Sequence, residues 1–218
     1  LGTINVHASL LPKYRGAAPI HRAVIAGERE TGITVIKLVK RMDAGPMLAR
    51  AVRSIGRNES SDEIQSDLAD IGARLLVSVV ADMSSGCCTE VPQDHSLATL
   101  APRLTREDGA IDWNRSAGDV HNLVRGLHPW PHAFTHLHGE RHVILRTSVD
   151  SQDSFPQHPP GTICVAHGDR LLVACGSGTT IRIKKLQTAG RKPLATQAFL
   201  SGRPIAVFST FRTNPELP

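Results

Sequence analysis

Ile64, Leu68, Ile71, Leu75 and Val79 recur at helical spacing behind a capping-box pair, Ser60 and Glu63, and the run stops at Gly86. A helix with one apolar stripe needs a sheet or another helix to cover it, and the segments ahead of it have strand character. Residues 3–8 are an apolar run that breaks at Ser9-Leu10-Leu11-Pro12, Ile33 to Val39 is β-branched and apolar, and Leu48 to Ile55 follows the turn Asp43-Ala44-Gly45-Pro46. Between the first two, Pro19 suits a helix's first turn, Ile20, Ala23 and Val24 follow at helical spacing, and Gly27 closes the run. Strands alternating with helices predict an α/β layer over residues 1–86.

The pattern changes past Gly86. Residues 87–103, with Pro92, Pro102 and weak periodicity, are expected as a linker. Ser116 and Asp119 predict a short capped helix that turns Val120, Leu123, Val124 and Leu127 inward and ends at His128-Pro129-Trp130-Pro131. Beyond it, β runs at 133–138, 142–147, 162–166, 171–175 and 179–186 are separated by glycine-containing turns. An OB-like β-barrel is therefore expected over residues 104–213, a fold that often offers nucleic acid a basic strand face. Trp113 and Trp130, beside apolar helix residues, are expected in the core.

At 218 residues and 40% hydrophobic content the chain has room for one large domain or two ordinary ones, and the change in texture favours two. There is no signal-peptide pattern and no apolar run of membrane-spanning length. Cys87, Cys88, Cys164 and Cys175 lack the paired short spacings of a zinc site and are too few for a disulfide scaffold, so a reducing cytosol is expected and Cys87-Cys88 read as loop thiols. His132, His136, His138 and His142 have no carboxylate or cysteine at ligand spacing, and no metal is expected. The net charge of +5 is uneven: from Arg170 to Arg203 there are seven basic residues and no Asp or Glu. Such a field suits a polyanion, or else a solvated face that deters aggregation.

Asn5 and His7 lie two apart at the end of the first strand, so alternation points both side chains to one side. An imidazole there can donate to a developing oxyanion or move a proton near neutral pH, and an amide can hold a carbonyl oxygen. Asp43, fixed by Gly45-Pro46, can return its carboxylate to the same crevice to orient His7 or take a proton through water. No Ser or Cys with an adjacent base offers itself as a nucleophile, so acyl transfer here means direct attack by the acceptor.

Asn5-Val6-His7, Ser9-Leu10-Leu11-Pro12-Lys13-Tyr14-Arg15-Gly16, Thr31-Gly32-Ile33-Thr34 and Asp43-Ala44-Gly45 resemble the folate-dependent formyltransferases. The resemblance implies that Asn5, His7 and Asp43 are catalytic, that Ser9, Leu10, Leu11 and Pro12 help hold tetrahydrofolate, and that 10-formyltetrahydrofolate is the co-substrate. Gly109-Ala110-Ile111-Asp112-Trp113, Gly126 to Pro131, and Gln187 to Gly202 are similar to the C-terminal domain of the branch that acts on methionyl-tRNA. From that follows an acceptor, methionyl initiator tRNA, with Lys184, Lys185, Arg191 and Lys192 as expected phosphate contacts. It also implies a monomer in the cytoplasm of a bacterium, or in an organellar matrix, serving translation initiation. Formylation of a 4-amino sugar nucleotide shares the first motif and remains the alternative acceptor. Relatives in this family carry a nucleotide-fold segment of roughly 100 residues ahead of the Asn-x-His strand, so the expectation is a fragment beginning inside its catalytic domain, inactive alone. The fold class expected is thus the later part of a Rossmann-like domain (1–86), a linker (87–103) and an OB-like barrel (104–213).

Overall fold

The computed structural model describes residues 2–149 and 155–215. The chain separates into two compact units, Leu1–Leu104 and Thr105–Pro218.

The first unit contains β1 (Ile4–His7), α1 (Pro19–Ile25), β2 (Glu30–Lys37), β3 (Met47–Ser54) and α2 (Ser61–Ser84). Its α/β character is as expected, but the strand direction is not that of a Rossmann-like layer: the order is β1-β2-β3 and both pairs are antiparallel. A parallel crossover must carry the chain back along the strand. The seven-residue α1, about 10 Å long at 1.5 Å per residue, does not do so, and β2 re-enters beside the end of β1, with His7 opposite Thr34 and Asn5 opposite Ile36.

Alternation divides this sheet cleanly. Ile33 and Val35 pack with Ile20 and Val24 of α1 and Ile64, Leu68 and Val79 of α2, and Ile4, Val6 and Ala8 lie against the same cluster. Asn5, His7, Thr34 and Ile36 therefore belong to the opposite face. The Glu63 carboxylate accepts from the Ser60 N–H at 2.8 Å, so the capping box forms as the sequence predicts.

Residues 87–103, expected as a linker, are instead hydrogen-bonded into this first unit. Met47 and Val91 exchange backbone bonds at 2.7 and 2.8 Å, Arg15 N–H donates to the Thr99 carbonyl at 2.9 Å, and Ala101 N–H donates to the Arg15 carbonyl at 2.7 Å. Backbone and polar groups hold the segment, which is why it shows no apolar period.

The second unit comprises α3 (Ala117–Gly126), β4 (Ala133–Leu137), β5 (Glu140–Val149), β6 (Ile163–His167), β7 (Arg170–Ala174), β8 (Thr180–Thr188), β9 (Leu194–Ala195) and α4 (Thr196–Gly202). All strand pairs are antiparallel in the order β4-β5-β8-β7-β6, with β9 beside β8. No closed barrel forms: among the described residues β4 and β6 end the path without pairing. The segment after α4 covers both ends, where His136 N–H donates to Arg212 O at 2.8 Å and Ile163 N–H to Ser209 O at 2.9 Å. Trp113 is core as expected, 4% exposed and stacked on Phe211 at 5.7 Å, with its indole N–H donated to Thr135 Oγ1 at 3.0 Å. Trp130 is 50% exposed, because the flanking prolines carry it past the end of α3 instead of into the apolar stripe.

His142 lies in this second core, 3% exposed, edge-on to the rings of Phe199 and Phe211. Burial, the largest cause, holds its imidazolium down from the ordinary histidine range, Arg203, His136 and His138 act in the same direction, and Glu140 opposes them. The unfolded chain then binds the extra proton first, so the contribution of His142 to the stability of the second unit is full above about pH 6.5 and is lost progressively as pH falls below that value. Both tryptophans belong to this unit. The urea midpoint followed by Trp fluorescence should therefore drop between about pH 7 and about pH 5.5, and His142→Asn should flatten the dependence.

Candidate active site

β1 delivers Asn5 and His7 to the sheet face away from α1 and α2, and the chain then turns back over that face. Thr34 Oγ1 pins the turn, donating to the Ser9 carbonyl at 2.7 Å and accepting from Leu11 N–H at 3.2 Å. The Ser9 hydroxyl closes it on the Lys13 carbonyl at 2.7 Å.

The turn carries the Tyr14 carbonyl to within 2.9 Å of His7 Nε2. A carbonyl only accepts, so the neutral imidazole carries its proton on Nε2 and turns Nδ1 toward Asp43, whose Oδ2 is 3.7 Å away. The same Oδ2 accepts from Gly16 N–H at 2.9 Å. His7 is 5% exposed. Asn5 is half-buried on the same face, and among the described residues its amide has no hydrogen-bond partner. Tyr14 at φ 60 and Asp43 at φ 48 both sit in the left-handed region, at a cost of about 1–3 kcal/mol each for residues with a side chain. Strain of that kind persists where surrounding contacts over-determine it, and here those contacts converge on His7.

The residues proposed to hold folate divide. Leu10, Leu11 and Pro12 line a cavity of about 260 Å³ together with Tyr14, Glu28 and Arg50. Ser9 is fully buried and its hydroxyl is committed within the turn. The Tyr14 phenol donates to Glu28 at 2.8 Å, and burial followed by this bond raises it above its ordinary range.

Two residues at the site received no role from the sequence. Arg15 is 3% exposed and Gln93 6%. Gln93 Oε1 accepts from Arg15 Nη2 at 2.6 Å, and Arg15 Nη2 also meets His95 Nδ1 at 2.9 Å. Burial pulls the guanidinium down from its ordinary value, the charge of Arg41 adds to this, and Asp43 opposes it. Arg15 stands inside the motif quoted for the loop and was legible there. Gln93 sits in an aperiodic stretch that carried no signal.

In the second unit, Lys184 and Lys185 are consecutive on β8 and both exposed, next to register shifts in the β5–β8 pairing, while Arg191 and Lys192 are exposed in the turn before β9. Arg146 of β5 lies opposite Lys185 and extends the patch. The acid-free stretch is nevertheless partly neutralised from outside, since Arg182 pairs with Asp169 and Arg203 with Glu140 at 2.8 Å. His136 Nδ1 lies 3.1 Å from the Thr213 carbonyl, and no group of three or more metal-ligating side chains occurs among the described residues. No helix among them is long and apolar enough to cross a membrane.

Comparison with known proteins bears on both units. The model described as formyl transferase matches residues 1–80, and that described as formyl transferase, C-terminal domain, matches 103–204. The methionyl-tRNA formyltransferase of Nitratidesulfovibrio vulgaris is 42% identical over 206 residues, which is 93% of this chain and 62% of that protein. The methionyl-tRNA formyltransferase of Heliobacterium modesticaldum is 44% identical over 208 residues, 93% of this chain and 66% of that protein. The chain thus spans less than two thirds of the length of these relatives. In fold it is similar to HypX from Aquifex aeolicus in complex with tetrahydrofolic acid, with a TM-score of 0.67 at 16% identity over 91% of this chain and 35% of that one. It is also similar in fold to the methionyl-tRNA formyltransferase from Clostridium thermocellum, with a TM-score of 0.53 at 18% identity over 70% of this chain and 65% of that one. With one model on each unit and relatives above 40% identity along nearly its whole length, the chain belongs to the formyl transferase family.

Proposed function

We propose that this chain forms part of an enzyme that transfers the formyl group of 10-formyltetrahydrofolate to the α-amine of methionyl initiator tRNA, as a monomer in the compartment of protein synthesis, the cytoplasm of a bacterium. The observation that carries the reading is the Asp43 carboxylate, fixed by Gly16 N–H and facing His7 Nδ1 at 3.7 Å on the strand face that also presents Asn5. Attack of the amine on the formyl carbon puts negative charge on the formyl oxygen and positive charge on the amine. Asn5, whose amide has no described partner, is the donor to that oxygen. His7 Nε2–H is engaged by Tyr14, so its oxyanion role requires the loop to release it, while Nδ1 can take the amine's proton with Asp43 stabilising the imidazolium. Collapse breaks the bond to N10 of the folate, which takes up a proton in turn. The acceptor assignment is supported by the relatives' identity and by the exposed cations of the second unit, with its open antiparallel sheet as the face for tRNA phosphates.

The test joins this chain to the part of the N. vulgaris relative outside the matched region. In that chimera kcat/KM for methionyl initiator tRNA should exceed that for a 4-amino sugar nucleotide by about 1,000-fold or more, and the reverse order would reassign the acceptor. Binding of tRNA to the 218-residue chain should weaken steeply between about 50 and about 200 mM salt. Lys184→Ala and Lys185→Ala should each reduce the slope of log K against log salt by about 1, as read by filter binding.

A further inference from the structure

Asp43 stands at φ 48, and its turn is held from three places: Ala44 N–H donates to the Arg41 carbonyl at 3.3 Å within the loop, Gly16 ties the Asp43 carboxylate, and residue 93 ties its backbone carbonyl. Gln93 Nε2 donates to the Asp43 carbonyl at 2.9 Å and to the Gly45 carbonyl at 2.7 Å. Its Oε1 accepts from Arg15 Nε at 3.2 Å and Nη2 at 2.6 Å. A carboxamide has two donors and one acceptor oxygen with two lone pairs, and every one of them is used here. A flipped amide would set an NH₂ against a guanidinium, so its orientation is fixed. The Arg15 end of this clasp leads directly to Gly16, whose N–H holds the Asp43 carboxylate. Gln93 thereby fastens both ends of one small ring: Asp43 backbone, Asp43 carboxylate, Gly16, Arg15, Gln93.

We infer that Gln93 is a positioning residue for formyl transfer, setting the Asp43 carboxylate against His7 through the backbone of the Asp43 turn. It touches neither reacting group, and the inference rests on the reading in which Asp43 acts through His7. A contact that served only the fold would leave the local relation of Asp43 to His7 intact whenever the unit stays folded.

The test uses the ¹⁵N-labelled 218-residue chain with Gln93→Ala, Gln93→Glu and Asp43→Ala. Two readouts are local, the exchange rate of the Gly16 amide and the ring nitrogen resonances of His7. The third, exchange of the Val35 amide in β2, reports on the fold. Glutamate keeps an acceptor for Arg15 but cannot donate to the two carbonyls, so it separates holding the turn from merely pairing with Arg15. Both Gln93 variants should speed Gly16 exchange about tenfold or more and move the His7 resonances in the direction that Asp43→Ala moves them, with Val35 exchange within about twofold of the parent. Unchanged Gly16 and His7 signals, parent-like behaviour of Gln93→Glu, or loss of Val35 protection in parallel would each overturn the inference. If Asp43→Ala itself leaves His7 unmoved, the Asp43–His7 reading fails and takes this one with it.

Discussion

Gly45→Ala should cost the first unit about 2–4 kcal/mol, the largest stability effect expected from adding one methyl group anywhere near the site. A Cβ at this position would sit 1.7 Å from the Lys37 carbonyl oxygen, and that obstacle is the backbone of β2, which cannot rotate away as a side chain would. Lys37 N–H is bonded to the Pro46 carbonyl at 3.0 Å, and the Gly45 carbonyl accepts from Gln93, so the turn cannot retreat without losing both. The displaced residue stands two positions after Asp43, and the site should open along with the loss of stability. Urea unfolding followed by far-UV circular dichroism should show a weakened first transition, while Trp fluorescence, which reports the second unit, stays in place. Gly202→Ala, where an added Cβ meets nothing within 4 Å, should change stability by less than about 0.5 kcal/mol.

His7→Ala should lower formyl transfer by the chimera about 10²–10⁴-fold. The imidazole sits between the Tyr14 carbonyl and the Asp43 carboxylate, where its Nδ1 is placed to take the proton of the attacking amine. The loss should fall on kcat, because the side chain handles the proton of the attacking amine and contributes little to ground-state binding. Affinity for tRNA should remain within about twofold, since the exposed cations lie on β8, its following turn and β5. Lost tRNA binding with unchanged turnover per bound tRNA would reverse these roles.

Much of this was legible in the residues. Period-two alternation put Asn5 and His7 on one face, two capping boxes marked the starts of α2 and α3, and β-branched runs located the strands within a few residues. Pairing direction was not legible, because the apolar pattern of β2 reads the same whether its neighbour runs parallel or antiparallel, and the intervening α1 imitates a crossover. The open path of the second sheet was hidden for a related reason: β4 is bridged outside the named strands by Ala110 and Arg212, and the chain entering β6 by Thr210, from segments that have no strand signature. Long-range polar pairs such as Arg182 with Asp169, Arg203 with Glu140 and Gln93 with Arg15 depend on tertiary approach alone. Thus the catalytic candidates were found by motif, whereas the residue that holds their geometry could be found only from the fold.

The central claim is that Asn5, His7 and Asp43 of this chain form a working formyl-transfer site. The direct measurement is single-turnover transfer of labelled formyl from 10-formyltetrahydrofolate to methionyl initiator tRNA by the chimera, in which this chain is the sole source of those three residues. The rate constant should lie within about tenfold of that of the N. vulgaris relative. A folded chimera that binds tRNA and tetrahydrofolate but transfers no label would contradict the account.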